Sequence, residues 1–356
     1  MSQAGLRSEF PILERVAYLN AGTDGPVPRA AQEAVVHELA AEVDEGRVTA
    51  HFERRFELMG ELRSGYAELL GCTVDDLALC TGTSEGLGKV LAGMEIGPDD
   101  EIVTSDDEHP GLIGPLIAAR LRGATIRAVP FARLADEIGP STTLVACSHV
   151  NWRTGEVAPA ELADVGVPVI LDGAQGVGAV PVDVVKLGCA VYAAAGQKWL
   201  CGADGTGMLY IAPEFRERVR SIAPSYISFE DASHGFESEL KDDARRYDTP
   251  ALAREVVAFS LAALDVLRGA DLAAVLARGP VLAAQLAERL EAHGRTVAPR
   301  GHSTLVAWED DDPEAARDRL KGADVIVRNL PGTPYVRASV GAWSSEDDLD
   351  RLLAAL

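Results

Sequence analysis

Apolar positions recur with two different periods along this chain, and the change from one to the other organises it. Between residues 29 and 45, Ala34, Val35, Leu39 and Val43 stand at helical spacing, and a second helical pattern runs from about His51 to Leu70. Two surface helices are therefore expected to lead in. From Leu77 onward short apolar runs take over, at 77–80, 102–104, 125–129, 143–147, 167–171 and 190–194, alternating with helical segments. That alternation predicts an α/β fold with a mostly parallel sheet wrapped by helices. The run at 207–211 follows Lys198 across a Gly-rich connection too short for a helical crossover, so it is expected to be an antiparallel strand of the same sheet. Residues 225–249 carry mixed charge and no periodicity, which places a domain boundary there. Beyond them, Thr249-Pro250 signals a long Ala/Leu/Val helix reaching about Leu267, and later patterns, ending with 336–340, predict a small α+β domain. The expected division is a large domain at 16–248 and a small one made of 249–356 together with the N-terminal segment 1–15.

Composition narrows the class. With 356 residues, 47% of them hydrophobic, the chain can build substantial cores and is not expected to be disordered. Its 33 Lys and Arg against 55 Asp and Glu leave a net charge of -22, a field that argues against nucleic acid as a partner. No apolar run approaches the roughly 18 residues of a membrane span, and residues 1–10 lack the basic-then-apolar order of a signal peptide. A soluble, cytoplasmic protein is expected. Cys72, Cys80, Cys147, Cys189 and Cys201 are odd in number and never spaced C-x-x-C, which argues against a disulfide framework and a zinc knuckle.

In open α/β sheets ligands collect at the carboxyl ends of the strands, so the residues just after each apolar run are the informative ones. Thr81-Gly82-Thr83-Ser84-Glu85-Gly86 is a small-residue loop opening a helix, whose free N–H groups and positive dipole end suit a phosphate. Alone, Thr83 or Ser84 is equally a simple helix cap. Asp172 ends an apolar run and is followed by Gly173-Ala174-Gln175; Lys198 follows another and lies against small and aromatic neighbours. Taken singly, that aspartate caps a helix and that lysine reaches to solvent. Taken together, a phosphate loop, an acid and an amine of lowered pKa on neighbouring strand ends are what pyridoxal phosphate requires.

At this point the chain resembles the class V, fold-type I pyridoxal-phosphate enzymes, which include cysteine desulfurases, cystine lyases and several aminotransferases. The resemblance spans nearly the full length and is carried by Tyr18-Leu19-Asn20-Ala21-Gly22, Gly82-Thr83-Ser84-Glu85, Glu108-His109-Pro110, Asp172-Gly173-Ala174-Gln175, Gln197-Lys198-Trp199 and Val336-Arg337-Ala338-Ser339. It implies that Lys198 bonds pyridoxal 5'-phosphate, that Asp172 partners the pyridine nitrogen, that Gln175 reaches the phenolic oxygen and that His109 stacks on the ring. Thr83, Ser84 and Gln197 would hold the phosphate, with Thr249 arriving from the partner subunit of a homodimer. Arg337 would grip the carboxylate of an amino-acid substrate, a bidentate task suited to its planar fork, with Asn20 and Ala21 also on the substrate side.

Three departures from the family pattern bear on the reaction. The stretch before the lysine reads Ala195-Gly196-Gln197 where Ser-x-His is common, so one phosphate hydroxyl is missing and Gln197 cannot act as an acid near sulfur. Trp152 falls where desulfurases place a cofactor-binding asparagine, which resembles the cystine lyases. No cysteine follows Cys201, whereas desulfurases need a mobile one shortly before the carboxylate-binding arginine. In its place stands 327–335, short and stiffened by Pro331 and Pro334. Cys201 itself is expected to be a buried structural thiol. The expected activity is β-elimination from L-cystine, L-cysteine or a related sulfur amino acid, with an aminotransferase or epimerase as the alternative, since all begin by removing the same α-proton. A nucleotide-binding enzyme is disfavoured because Gly173, Gly176 and Gly178 read G-x-x-G-x-G. A non-catalytic relative would be expected to have lost Lys198 or Asp172.

Overall fold

The computed structural model describes residues 3–356; residues 1 and 2 of the expected N-terminal segment lie outside the described residues. In chain order the elements are α1 (Gln3–Ser8), β1 (Ala17–Tyr18), α2 (Arg29–Glu45), α3 (Thr49–Leu70), β2 (Leu77–Cys80), α4 (Thr83–Gly93), β3 (Glu101–Ser105), α5 (Pro110–Leu121), β4 (Thr125–Val129), β5 (Thr142–Ser148), β6 (Val169–Asp172), β7 (Val191–Ala195) and β8 (Gly207–Ile211). There follow α6 (Arg254–Gly269), α7 (Leu272–Ala292), β9 (Leu305–Glu309), α8 (Pro313–Gly322), β10 (Val325–Ile326), β11 (Arg328–Asn329), β12 (Tyr335–Ser339) and α9 (Glu346–Ala354).

Seven strands form the main sheet in the order β2-β8-β7-β6-β5-β3-β4, and only β8 runs against its neighbours. The antiparallel strand expected at 207–211 is therefore present. Strands β6, β7 and β8 are buried at every position, which is why they read as unbroken apolar runs rather than alternating ones. Because β2, β3, β5, β6 and β7 point the same way, Cys80, Ser105, Ser148, Asp172 and Ala195 end along one edge.

Two expectations needed correction. The second lead-in helix is not a surface helix throughout, since Leu58, Leu62, Tyr66 and Leu70 of α3 are buried in the main core. The helix expected from Thr249 begins only at Arg254. The intervening residues are claimed by β2: Thr249 N–H donates to Leu79 O at 2.9 Å, and Asp248, buried and paired with Arg63 at 2.7 Å, accepts from Leu79 N–H at 2.8 Å. A buried, fully bonded ion pair of this kind costs several kcal/mol, roughly 3–5, to break on one side.

A second apolar cluster gathers Leu19, Leu286, Leu290, Val306, Trp308, Val336 and Leu352 behind the three-stranded sheet β11-β12-β9. The N-terminal segment is tied to it: Arg7 makes two hydrogen bonds to Asp348, at 2.6 and 3.0 Å, at the capping box that opens α9. Meanwhile β1 pairs with β10, so the chain leaving β1 arrives beside β12 and at the edge where the main strands end. Among the described residues no helix is long and apolar enough to cross a membrane.

Candidate functional site

A cavity of about 400 Å³ opens at that edge, lined from both sheets. Thr83, Ser84, His109, Trp152, Asp172, Gln175, Gln197, Lys198 and Arg337 all line it. Asn20, Ala21 and Thr249 are not among its lining residues; Asn20 and Thr249 bond to Thr23 and Glu85, which are, and Ala21 is buried next to Gly22 in the chain.

At one side β2 turns into α4. The cap position is Gly82 at φ 156°, a conformation that favours glycine, and no side chain caps the helix. Its first N–H groups are thus left for a ligand, and the buried Thr83 hydroxyl has no partner either. Glu85 turns back over the loop, accepting from Thr81 N–H and Oγ1, both at 2.6 Å, from Thr249 Oγ1 at 2.6 Å and from Lys89 Nζ at 2.8 Å. Burial alone would raise its pKa, but the hydrogen bonds from Lys89, Thr249 and Thr81 prevail and hold it at about 2. Thr249 also accepts from Lys89 at 2.9 Å. Its single proton is committed to Glu85, so it can donate to another anion only by releasing that carboxylate.

Asp172 sits in the last pair of β6, bonded by Ala174 N–H at 2.9 Å. Burial pushes its carboxyl upward, and the nearby Lys198 pulls it back. Lys198 follows β7; burial lowers its amine to about 8, aided by Arg337 and Arg328 and opposed by Asp172 and Asp24. An amine so placed is partly neutral near physiological pH and can act as nucleophile or base. The turn around it is rigid. Gly25 N–H donates to Gln197 O at 2.8 Å, and a Cβ on Gly25 would lie 2.2 Å from Lys198 O, so only glycine lets the 20–25 loop approach this closely.

His109 both caps α5, accepting from Gly111 N–H at 3.0 Å, and faces the cavity edge-on to Trp152 at 5.1 Å between ring centroids. The cap requires a bare Nδ1, leaving the proton on Nε2; burial, then Lys198 and the two arginines, lower its pKa to about 4. Gln175 is held by Gly22 O at 2.7 Å and Trp199 Nε1 at 3.0 Å. Cys201 is buried, absent from the lining, and its thiol is raised well above the usual value by burial.

Two residues of the lining, Arg328 and Asp24, and one behind it, Glu108, were not assigned a role from the sequence. Glu108 is buried and accepts from Ser105 Oγ at 2.7 Å and Ser148 N–H at 3.0 Å, tying β3 to β5 directly beside His109. Arg328 stands opposite Arg337 in the β11–β12 pairing. Arg337 is buried, donates to Trp152 O, and leaves Nε and Nη2 without partners; burial and then Arg328 lower its pKa to about 9. Among the described residues neither arginine has a carboxylate within ion-pair distance, and Arg328 bonds only Thr23 Oγ1, at 3.1 Å. Asp24 stands next to Thr23 in the same lining. A signal for this hairpin was present: Leu330-Pro331-Gly332-Thr333 is turn chemistry between two short runs.

The family model for aminotransferase class-V matches residues 17–352. The chain belongs to that family. Among class-V relatives, isopenicillin N epimerase from Streptomyces clavuligerus is 28% identical over 96% of this chain and 94% of its own. Two solved structures are also similar. One, a lysine-to-alanine mutant of C-DES with glycine covalently linked to its PLP cofactor, has a TM-score of 0.90 and 27% identity, covering 98% of each chain. The other, the cystine C-S lyase C-DES with its reaction product cysteine persulfide, has a TM-score of 0.88 and 26% identity over 97% of this chain and 98% of that one. This class-V chain is accordingly an enzyme with the fold-type I architecture.

Proposed function

We propose that this class-V enzyme is a pyridoxal-phosphate-dependent carbon–sulfur β-lyase acting on L-cystine, L-cysteine or a related sulfur amino acid. The observation that carries the lyase reading is the absence of a thiol from the cavity lining, with Cys201 buried outside it. Sulfur then has no enzyme nucleophile to receive it and leaves with the product.

The donor set suits the cofactor. An uncapped helix start, an unpartnered Thr83 hydroxyl and Ser84 match a phosphate, and the buried Asp172 carboxylate calls for a cationic partner such as a protonated ring nitrogen. When bound, pyridoxal phosphate supplies a carbonyl that bonds amines and a ring that draws electrons from the α-carbon. Lys198 would hold the cofactor and, as a neutral amine, would take the α-proton of the substrate. Asp172 would keep the ring nitrogen protonated, His109 would lie against the ring, Gln175 would reach the phenolic oxygen, and Gln197 would join the phosphate cradle. Trp152 walls the cavity beside His109 and fixes Arg337 through its carbonyl. Arg337 holds the α-carboxylate. Asn20 and Ala21 act through the loop they begin, Asn20 by accepting from Thr23 Oγ1 at 2.9 Å.

A homodimer is part of this proposal, with Thr249 exchanging its bond to Glu85 for one to the partner's cofactor phosphate. So is the division into domains at 16–248 and 1–15 plus 249–356, with α6 bridging them because Val257 and Leu264 join the main core. The test is product analysis: L-cystine given to the purified holoenzyme should yield pyruvate and ammonia in equal amounts after thiol alkylation. Alanine with a protein-bound persulfide would replace the lyase by a desulfurase. Inversion at the α-carbon, or a 2-oxo acid matching the substrate skeleton in the presence of an amine acceptor, would favour the epimerase or aminotransferase alternative.

A further inference from the structure

Arg337 makes a single hydrogen bond among the described residues, from Nη1 to Trp152 O, while its Nε and Nη2 have no partner. The direction of this guanidinium is thus set by one backbone carbonyl, and whatever holds residue 152 holds Arg337. Residue 152 lies in a turn after β5 that closes on itself. Asn151 Oδ1 accepts from Arg153 N–H at 2.8 Å and from Thr154 N–H at 3.1 Å, and Gly155 N–H donates to Asn151 O at 2.9 Å. Three consecutive side chains of the turn then reach one residue, Asp107, in the connection between β3 and α5. Asn151 Nδ2 donates to Asp107 Oδ2 at 3.1 Å, Arg153 Nη1 to Asp107 Oδ1, and Trp152 Nε1 to the Asp107 carbonyl at 3.1 Å. Arg153 also lies over the Trp152 ring, 5.1 Å from its centroid, a cation–π contact that closes the clamp. Asp107 is itself tied to the end of β3, its N–H donating to Ser105 Oγ at 3.3 Å. Asp107, Asn151 and Arg153 all stand outside the cavity lining.

We propose that Asp107 is a positioning residue for substrate recognition: from outside the cavity it anchors residues 151–153, and through the Trp152 carbonyl it aims Arg337 at the substrate α-carboxylate. This rests on the reading of Arg337 as the carboxylate's partner and adds what sets its direction. A planar guanidinium meets a carboxylate with two parallel bonds only when the two groups are aligned, and a misplacement of about 1 Å can cost ~10²-fold. An arginine held at one nitrogen can swing about that bond, so the stiffness of the turn passes directly into carboxylate affinity. The cofactor side is not reached. Among the described residues, Lys198, Asp172 and the Thr83–Ser84 loop make no hydrogen bond to Asp107 or to residues 151–155.

The test titrates holoenzyme with L-alanine and with ethylamine, which lacks only the carboxylate. Neither carries a leaving group, and each Kd is read from the change in absorbance of the bound cofactor. Relative to wild type, Asp107→Ala should cut alanine's advantage over ethylamine by about tenfold, and Asp107→Asn, which keeps one acceptor oxygen, by about threefold, the scale of weakened hydrogen bonds to a charged group. Ethylamine affinity, and the affinity of the apoprotein for pyridoxal phosphate, should stay near wild type. Any effect carried through His109 falls on both ligands alike and cancels in the ratio. Arg337→Met supplies the reference: it should erase the advantage, and if alanine keeps it there, the carboxylate reading of Arg337 fails. If Arg337→Met erases the advantage but the Asp107 variants leave it intact, or weaken both ligands equally, the positioning role is overturned. Should Asp107→Ala fail to fold, Asp107→Asn decides by the same two outcomes.

Discussion

At the turn from β2 into α4 every charge has a partner, whereas at the β11–β12 hairpin two guanidiniums stand opposite each other with no carboxylate between them. The first region is complete as a piece of folded protein, with Glu85 closing the loop and leaving N–H groups and the Thr83 and Ser84 hydroxyls for a ligand. The second is incomplete until something anionic enters. Removing a satisfied charge should cost stability, while removing an unsatisfied one should cost function and spare or even raise stability. The same cavity therefore separates groups kept for folding from groups kept for binding.

The largest effect comes from the residue both regions serve. Lys198→Ala should lower pyruvate formation by at least ~10²–10⁴-fold, the usual worth of a positioned acid–base group, and should abolish the borohydride-reducible adduct; retention of that adduct would misplace the cofactor lysine. Next, Arg337→Met should reduce kcat/KM by roughly 30- to 1000-fold, corresponding to about 2–4 kcal/mol for a buried charge contact. The same variant should melt no lower than wild type, because a buried cation with two unpartnered nitrogens is removed. A lower melting temperature would mean that Arg337 is satisfied in some way the cavity does not reveal.

Glu85→Gln sharpens the other half of the comparison. It should destabilise the protein by about 1–3 kcal/mol through the donors it orphans and loosen cofactor binding. Its pH signature has a definite sign. Because folding lowers the pKa from 4.5 to about 2, the ionised form stabilises fully above 4.5, and that contribution is lost as pH falls from there toward 2. Melting curves taken between pH 6 and 3 should show a steeper decline for wild type than for Glu85→Gln. For Lys198 the relevant form is the neutral amine, so cofactor incorporation into apoenzyme should accelerate as pH rises through about 8 and then level off. A rate flat across that interval would place the amine's titration elsewhere. The smallest effect is expected at Cys201→Ala, which should change turnover by no more than about twofold, since the thiol lies in the core rather than the cavity.

What the sequence by itself determined was local. Buried strands announce themselves as apolar runs because both faces are covered, so the main sheet was legible, including its one antiparallel strand. Asp172, Lys198 and the Thr83–Ser84 loop were legible because each follows such a run, and strand ends are where an α/β sheet collects ligands. The start of α6 was not, because Asp248 and Thr249 are held by Arg63 and Leu79, partners far away along the chain. Nor was the charge state of the cavity. Whether an arginine is paired depends on what long-range packing brings within a few ångströms, and only the folded chain placed Arg328 opposite Arg337, bound it to Thr23, and left Asp24 beside it with nothing to hold.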